Sequence, residues 1–188
     1  EKTYSMLLDQ VSTSIDLQIN EAQKSLHKLL QSYDTAKIAQ SDNVNDIALT
    51  TYKMELVEQM KSFCQVNGFI NDILLYFPKQ DYIISSSTLS DSTISYYASY
   101  KDYVNDYHLW RDMFLDHDTG DLFILTTTKM NPVTGNSNVL YYAYQGEPLF
   151  GSEPVMAFFS VEGSILAPQI KSMSAESDVD IALMLADG

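Results

Sequence analysis

The pair Trp110-Arg111 is the part of the sequence best suited to binding chemistry. Arg111 is the only arginine in the chain and directly follows the only tryptophan. A planar guanidinium can hold a carboxylate through two parallel hydrogen bonds, and an adjacent aromatic face can orient the bound group. The pair therefore predicts a site for a small anionic molecule, which a net charge of −14 would otherwise repel. The alternative is a salt bridge from Arg111 to Asp112, Asp116 or Asp118, which contributes about 1 kcal/mol or less when exposed.

The pair lies within a tyrosine-rich segment, residues 94–115. If this segment is helical, steps of four, three and four residues place four side chains on one face: Tyr100, Val104, Tyr107 and Arg111. Aromatic walls with hydroxyl tips suit sugars and small polar organic molecules. Tyr100 and Tyr107 are therefore predicted to line a pocket, with ordinary core packing as the alternative.

Little in the sequence favours catalysis. The three histidines, His27, His108 and His117, are scattered over separate predicted elements. The run Ser85–Ser87 lies at the end of a predicted strand with no predicted base nearby, so we expect it to be solvated rather than nucleophilic. The sequence contains no histidine pair at four-residue spacing, no nucleophile elbow and no glycine-rich phosphate loop. We therefore expect a protein that is not an enzyme.

Metal and cofactor sites are not predicted either. Residues 116–121, DHDTGD, are similar to the start of a calcium loop, but the twelfth position is Thr127 where such a loop needs a bidentate Glu. The single cysteine, Cys64, excludes an intramolecular disulfide and a multi-cysteine zinc site. It lies beside Phe63 on the apolar stripe of a predicted helix, so we expect a buried small side chain rather than a reactive thiol.

The composition indicates one folded domain that does not bind nucleic acid. With 45% apolar residues among 188, the chain can build a sizeable core and is not disordered. The net charge of −14 argues against nucleic acid and anionic membranes as partners, since both require basic patches. No run of about eighteen apolar residues is present. Because the chain begins at Glu1 without a signal peptide, we expect an excised fragment of a longer protein.

Two helices are predicted in the first third of the chain. Apolar residues recur at helical spacing from Tyr4 to Ala36, which predicts one helix roughly 50 Å long that pairs with a copy of itself or packs on its own domain. A second helix is predicted over residues 47–64, with Ser41 or Asp42 as its N-cap. Asn67-Gly68 is predicted to end it, with glycine at the C′ position.

A β-hairpin is predicted over Phe69–Thr88, immediately after these helices. Alternation places Ile73, Leu75 and Phe77 on one face of the first strand, and Leu74 and Tyr76 on the other. The turn is residues 78–81, PKQD, because Pro fixes φ and Asp suits a tight bend. Residues 82–84 form the second strand.

The last third of the chain is predicted to be rich in strands. Residues 123–128 and 139–144 flank a turn at 131–136 and predict a second hairpin. The nearly all-apolar run 155–161 predicts a central strand. A short helix at 165–173 and a strand at 179–185 follow it, and the closing Asp187-Gly188 is a hairpin signal.

This order of elements, together with three sequence stretches, resembles the Cache family, the PAS-like ligand-sensing domains on the outer face of bacterial membrane receptors. INDILLYFPKQDYIISSST (70–88) is similar to the passage that opens the sheet in such sensors. VLYYAYQGEPLFGSEPVMAFFSVEGSIL (139–166) is similar to their two strands before a short helix, and DIALMLADG (180–188) to the strand that begins a membrane-proximal second half. The nearest likeness is to AraC-type transmembrane regulators and related sensor histidine kinases.

The resemblance implies an α+β, PAS-like antiparallel sheet with a long N-terminal helix and a helical insert. It divides the chain into a helical limb (1–67), a sensor domain (68–176) and a final strand (177–188) that begins a membrane-proximal half. In PAS-like folds the pocket lies between the sheet and the insert. The strand residues expected to face Trp110 and Arg111 across that pocket are Thr126, Thr128, Tyr142 and Tyr144, with ordinary strand surface as their alternative.

The implied function is that of an extracytoplasmic sensor in signal transduction. It binds a small molecule on the outer side of the cytoplasmic membrane and signals through its helices, as a homodimer joined by the N-terminal helix. In amino-acid-binding members Tyr, Arg, Trp-Tyr and a later Asp contact the ligand. Here Trp110 precedes Arg111 and no Tyr follows Trp110, so the motif does not match in full and amino-acid recognition is one possibility among several. The alternatives are a structural or adhesive module that binds protein or glycan and, more remotely, a hydrolase fragment.

Overall fold

The computed structural model describes residues 2–87, 89–91, 106–116, 122–126, 138–146 and 154–162. Within these residues, helices and strands form an α+β fold, as the sequence predicts. The helices are α1 (Lys2–Leu30), α2 (Tyr33–Gln40), α3 (Thr50–Val66) and α4 (Tyr107–Leu115), with a short 3-10 helix (Ile47–Leu49) before α3. The strands are β1 (Asp72–Phe77), β2 (Tyr82–Ser85), β3 (Leu89–Asp91), β4 (Leu122–Thr126), β5 (Asn138–Gln145) and β6 (Met156–Glu162).

The predicted continuous helix over Tyr4–Ala36 is wrong, because the chain breaks between α1 and α2. Ser32 is extended and its Oγ accepts a hydrogen bond from the Thr35 amide at 3.1 Å, which makes it the N-cap of α2. The Thr35 hydroxyl donates to the Leu29 carbonyl at 2.6 Å and so satisfies an acceptor at the end of α1. Two side chains therefore cap the two helix ends at a break that contains neither Pro nor Gly.

The predicted N-cap of the second helix, Ser41 or Asp42, is also wrong. Ser41 is the C-cap of α2, and the N-cap before the 3-10 helix is Asp46, whose carboxylate accepts from the Ala48 amide at 2.9 Å. The end is confirmed, since α3 stops at Val66 with Asn67 as its C-cap and Gly68 next.

The hairpin after the helices is confirmed. β1 pairs antiparallel with β2, and Phe77 is opposite Tyr82 across the turn at residues 78–81. The Gln80 amide donates to the Phe77 carbonyl at 3.2 Å, and the Asp81 amide donates to the Pro78 carbonyl at 3.3 Å. Asp81 closes the turn with φ of 47°, a left-handed conformation that Asp tolerates better than most residues.

The strands form one antiparallel sheet in the order β3-β2-β1-β6-β5-β4. The second hairpin is confirmed, because β4 pairs with β5 in a register that sets Leu122 opposite Tyr142. β6 returns between β1 and β5, which joins the two hairpins into one sheet. The prediction of a central, nearly all-apolar strand is therefore confirmed. The predicted helix at 165–173 and strand at 179–185 lie outside the described residues.

The sheet has apolar side chains on both faces. Ile73, Leu75 and Phe77 belong to the larger core, which is closed by the helices through residues such as Leu26 and Leu56. On the other face lies the cluster that contains Trp110 from α4; we call this side the α4 face. Its sheet residues are Leu74, Tyr76, Ile83, Tyr141, Ala143, Met156 and Phe158. The predicted division of β1 between two faces is confirmed, and each face meets a different set of helices.

Candidate functional site

Helix α4 presents Trp110 to the sheet. Its N-cap is Asp106, whose carboxylate accepts from the Leu109 amide at 2.8 Å, while the Asp106 carbonyl accepts from the Trp110 amide at 3.0 Å. This cap begins the helix one residue before Tyr107, which places Tyr107 and Trp110 one turn apart. Trp110 is only 1% exposed, and its ring centroid lies 5.9 Å from that of Tyr107.

The carboxylate of Asp81 joins the sheet to α4. Its Oδ1 accepts a 2.7 Å hydrogen bond from the hydroxyl of Tyr76, and its Oδ2 accepts a 2.8 Å hydrogen bond from the hydroxyl of Tyr107. Both oxygens of one turn residue thus hold tyrosines from different elements. Burial raises the pKa of Tyr76 above its usual value, and the hydrogen bond to Asp81 and its negative charge raise it further. Tyr76 therefore remains a hydrogen-bond donor at neutral pH.

Arg111 is half-buried beside this network. Its charge acts on Tyr76, where it opposes the rise in the pKa. Its Nη2 lies 3.7 Å from Asp112 Oδ1, so one of the salt bridges considered for this arginine is present, in a long and partly exposed form. Among the residues that the structure describes, its buried Nε has no hydrogen-bond partner. A buried donor left without an acceptor costs about 1–3 kcal/mol, so an acceptor at this position would be stabilising.

Tyr142 and Tyr144 do not face this site, and the prediction that they do is wrong. Tyr142 is buried in the larger core, stacks on Phe159 and accepts a hydrogen bond from the Gln23 side chain of α1. The Tyr144 hydroxyl lies 3.0 Å from Nδ1 of His27, also on α1. Strand alternation gives both tyrosines one face, as predicted, but that face meets α1.

The remaining predicted site residues are Thr126, on the edge strand β4, and two that lie outside the described residues. Thr126 is the last residue of β4 and pairs with Asn138. Tyr100 and Thr128 lie outside the described residues. Of the predicted ligand-binding residues, the structure therefore brings together Tyr107, Trp110 and Arg111.

No family model matches this chain. A search of curated proteins finds no match either.

Asp81 is the site residue that sequence reasoning missed, since it was assigned only to a turn. A signal was present, because the pairing that closes a four-residue turn brings Tyr76 near Asp81. Sequence gives no comparable signal that Tyr107 contacts Asp81, because that contact depends on how α4 packs on the sheet.

The serine run forms a second polar cluster near the other end of β1. Ser85 and Ser86 are buried, so the prediction that this strand end is solvated is wrong for both. The Asp72 carboxylate accepts hydrogen bonds from the amide and the hydroxyl of Ser86. Burial raises the pKa of Asp72, although these hydrogen bonds oppose the rise.

Cys64 lies beside this cluster and is half-buried against the larger core. Burial is the main cause that raises its pKa to about 11, so the thiol is protonated and a poor nucleophile at neutral pH. Among the described residues, no group of three or more His, Cys, Asp or Glu side chains is arranged to hold a metal ion.

Proposed function

We propose that this chain is an extracytoplasmic, PAS-like sensor domain of the Cache type from a bacterial membrane receptor. It binds a small anionic or polar organic molecule and signals through its helices, and it has a binding role rather than a catalytic one. Ligand binds where α4 meets the sheet, with Arg111 as the group that holds it. The observation that carries this proposal is the buried Nε of Arg111, which has no hydrogen-bond partner among the described residues.

The polar groups near Arg111 support a site that would hold a small molecule in one orientation. Tyr76, Asp81 and Tyr107 form a hydrogen-bonded row along the edge of an apolar face that contains Trp110. Binding sites for small molecules typically combine an apolar lining with a few fixed polar groups. Arg111 supplies the positive charge that a carboxylate requires in a protein of net charge −14.

The order of elements also supports the proposal. Helices come first, then the β1–β2 hairpin, then α4, then the strands β4 to β6, which is the order on which the resemblance to Cache domains rests. The buried position of Trp110 supports an enclosed site over the alternative of an exposed aromatic patch for adhesion.

The proposal also includes membrane attachment and dimerisation, both as properties of the whole receptor. Among the described residues, no helix combines the length and the apolar character that crossing a bilayer requires. Helix α1 has 29 residues, and Met6 and Leu17 on it are exposed. They are eleven positions apart, which is close to three helical turns, so both lie on one side of α1. We propose that this side pairs with a second copy in the receptor, at the outer face of the cytoplasmic membrane.

A thermal-shift screen against organic acids, amino acids and sugars tests the proposal. A ligand that binds only the native state raises the melting temperature as its concentration exceeds Kd. We expect the shift to be lost in Arg111→Ala and largely lost in Arg111→Lys, which keeps the charge but not the planar fork.

The matched control is Lys61→Ala, which removes an exposed cation paired with Glu58 at 3.1 Å on α3. It should keep the full shift. The proposal is wrong if no compound shifts the wild-type protein, or if Arg111→Ala binds as well as the wild type.

A further inference from the structure

The turn between β1 and β2 contacts two helices through adjacent residues. Asp81 binds helix α4, and Gln80 binds the end of helix α2. Asp81 accepts the hydrogen bond from Tyr107 of α4 at 2.8 Å. Gln80 donates from its Nε2 to the carbonyl of Ser41 at 2.7 Å and to that of Ala39 at 3.1 Å. Two elements that are distant in sequence are therefore tied to adjacent residues.

The side-chain amide of Gln80 caps the C-terminal end of α2. The last carbonyls of a helix have no partner within it and must find donors elsewhere. Besides Ser41 and Ala39, the same Nε2 lies 3.3 Å from the carbonyl of Ile38. The two N–H bonds of one side chain from the turn thus lie within reach of three carbonyls at the C-terminus of α2.

The turn between these contacts is stiff. Pro78 has a fixed φ, and two backbone hydrogen bonds close the turn, from Gln80 to Phe77 and from Asp81 to Pro78. Lys79 adds an ion pair to Asp42 at 2.7 Å just beyond α2, and this pair lowers the pKa of Asp42. Because Gln80 and Asp81 share a peptide unit in a closed turn, one cannot move far without moving the other.

We propose that this turn couples the binding site to the helices, so that a change at Tyr107 alters how firmly the end of α2 is held. The ligand in this inference is that of the proposed function, whereas the contacts of the turn come from the structure alone. A ligand that engages the Tyr107 hydroxyl competes with Asp81 for it. A hydrogen bond of 2.7 Å is lost beyond about 3.5 Å, so a turn displacement of about 1 Å separates Gln80 from Ser41. The helical end then frays, and the bound state is communicated to α2.

Amide hydrogen exchange on the ligand-free protein tests this coupling. Tyr107→Phe removes only the hydroxyl that donates to Asp81. We expect it to raise exchange of the last amides of α2 and of the Ser41 amide, which donates to Ile38, by roughly fivefold or more. Because coupling between two sites is reciprocal, Gln80→Met should raise exchange at the Leu109 and Trp110 amides of α4.

Tyr144→Phe is the matched control, since it removes a tyrosine hydroxyl that contacts α1 rather than the turn. It should leave exchange at the end of α2 unchanged. Amides of β1 are the internal reference, because a general loss of stability raises exchange there as well. Coupling is contradicted if Tyr107→Phe affects α4 and the turn alone, or if exchange rises equally in β1.

The experiment separates this inference from the proposed function, because it contains no ligand. If the compound screen finds a ligand but Tyr107→Phe leaves α2 unchanged, the domain binds and this turn does not couple it. If exchange at α2 responds and no compound binds, the coupling holds and the proposed function fails.

Discussion

Asp81 and Tyr107 are joined by a 2.8 Å hydrogen bond although they are 26 residues apart in sequence. Asp81 closes a turn of the sheet, and Tyr107 begins the helix that covers the α4 face. The same carboxylate holds Tyr76 of β1 with its other oxygen. The position of α4 over the sheet therefore depends on one turn residue whose φ is 47°.

The first prediction concerns the charge and conformation of Asp81. Asp81→Asn keeps an acceptor and tolerates the left-handed conformation, so we expect it to lower the free energy of unfolding by about 1–2 kcal/mol. Asp81→Ala loses both acceptors and places a residue without a polar side chain at positive φ, so we expect a loss of about 3 kcal/mol. Urea unfolding measures both.

Asp42→Ala is the control for a lost aspartate. Asp42 pairs with Lys79 but its side chain is almost fully exposed, so we expect no measurable change. Equal losses for Asp81→Asn and Asp81→Ala would show that neither the remaining acceptor nor the backbone conformation contributes.

The second prediction is a pH dependence that arises from Asp72. Burial raises the pKa of Asp72 above its ordinary value of 3.8. Between 3.8 and the raised pKa the folded protein holds a proton that the unfolded chain has lost, so stability falls as pH rises through this window. Above the raised pKa the cost of the buried charge is fully present, and below 3.8 it is absent.

Asp72→Asn removes this ionisation and keeps an acceptor for Ser86. Relative to wild type, the variant should therefore gain stability as the pH rises from about 4 to 7, as measured by urea unfolding at several pH values. The control is Asp42→Asn, because the pair of Asp42 with Lys79 is almost fully exposed, so its difference from wild type should stay close to zero across this range. A difference between Asp72→Asn and wild type that is constant across this range would contradict the assignment.

The third prediction concerns the close approach of β5 to the end of α1. A Cβ on Gly146 would lie 2.6 Å from Cδ1, 3.0 Å from Cβ and 3.2 Å from Cγ of Leu30, which is itself buried. The Leu30 Cβ cannot rotate away, so Gly146→Ala should lower the free energy of unfolding by about 1–3 kcal/mol. Gly68→Ala is the matched control, because nothing lies within 4 Å of its new Cβ.

A double-mutant cycle assigns the third effect to Leu30. In a Leu30→Ala background, the cost of Gly146→Ala should shrink, since the crowding atoms beyond Cβ are gone. If the cost is unchanged in that background, the loss comes from the backbone of residue 146 and not from the contact with α1.

Local patterns predicted the hairpins well. Alternation in β1 separates Ile73, Leu75 and Phe77 from Leu74 and Tyr76, and both sets are buried as that pattern requires. These features depend on neighbours in sequence, where the period of a strand and the chemistry of a turn determine the outcome.

Which helix covers which face was not predictable from the same patterns. Alternation correctly groups Tyr142 with Tyr144, but only the packing of α1 through Gln23 and His27 decides their side of the sheet. Burial of Ser86 likewise depends on a distant partner, Asp72 on β1. Both errors come from assigning a tertiary environment from local sequence alone.

The fourth prediction concerns the break between α1 and α2, which apolar periodicity did not reveal. Ser32→Ala removes the oxygen that caps the Thr35 amide and should cost about 1 kcal/mol. Thr35→Val keeps the shape of a buried side chain but removes the donor to the Leu29 carbonyl, so we expect a larger loss of about 1–3 kcal/mol. Urea unfolding compares both with Ser25→Ala, whose hydroxyl donates within α1 to Glu21.

Ser25→Ala should be close to neutral, because alanine has the higher helix propensity and the backbone bonds of α1 persist. The contrast between Ser25 and Ser32 is the decisive comparison, since the two changes delete the same hydroxyl at positions inside and between helices. If Ser32→Ala costs no more than Ser25→Ala, and far-UV circular dichroism shows a gain in helix, the side chain of Ser32 interrupts a helix that would otherwise continue. A measurable loss with unchanged helix content shows instead that packing on the sheet imposes the break and that Ser32 stabilises it.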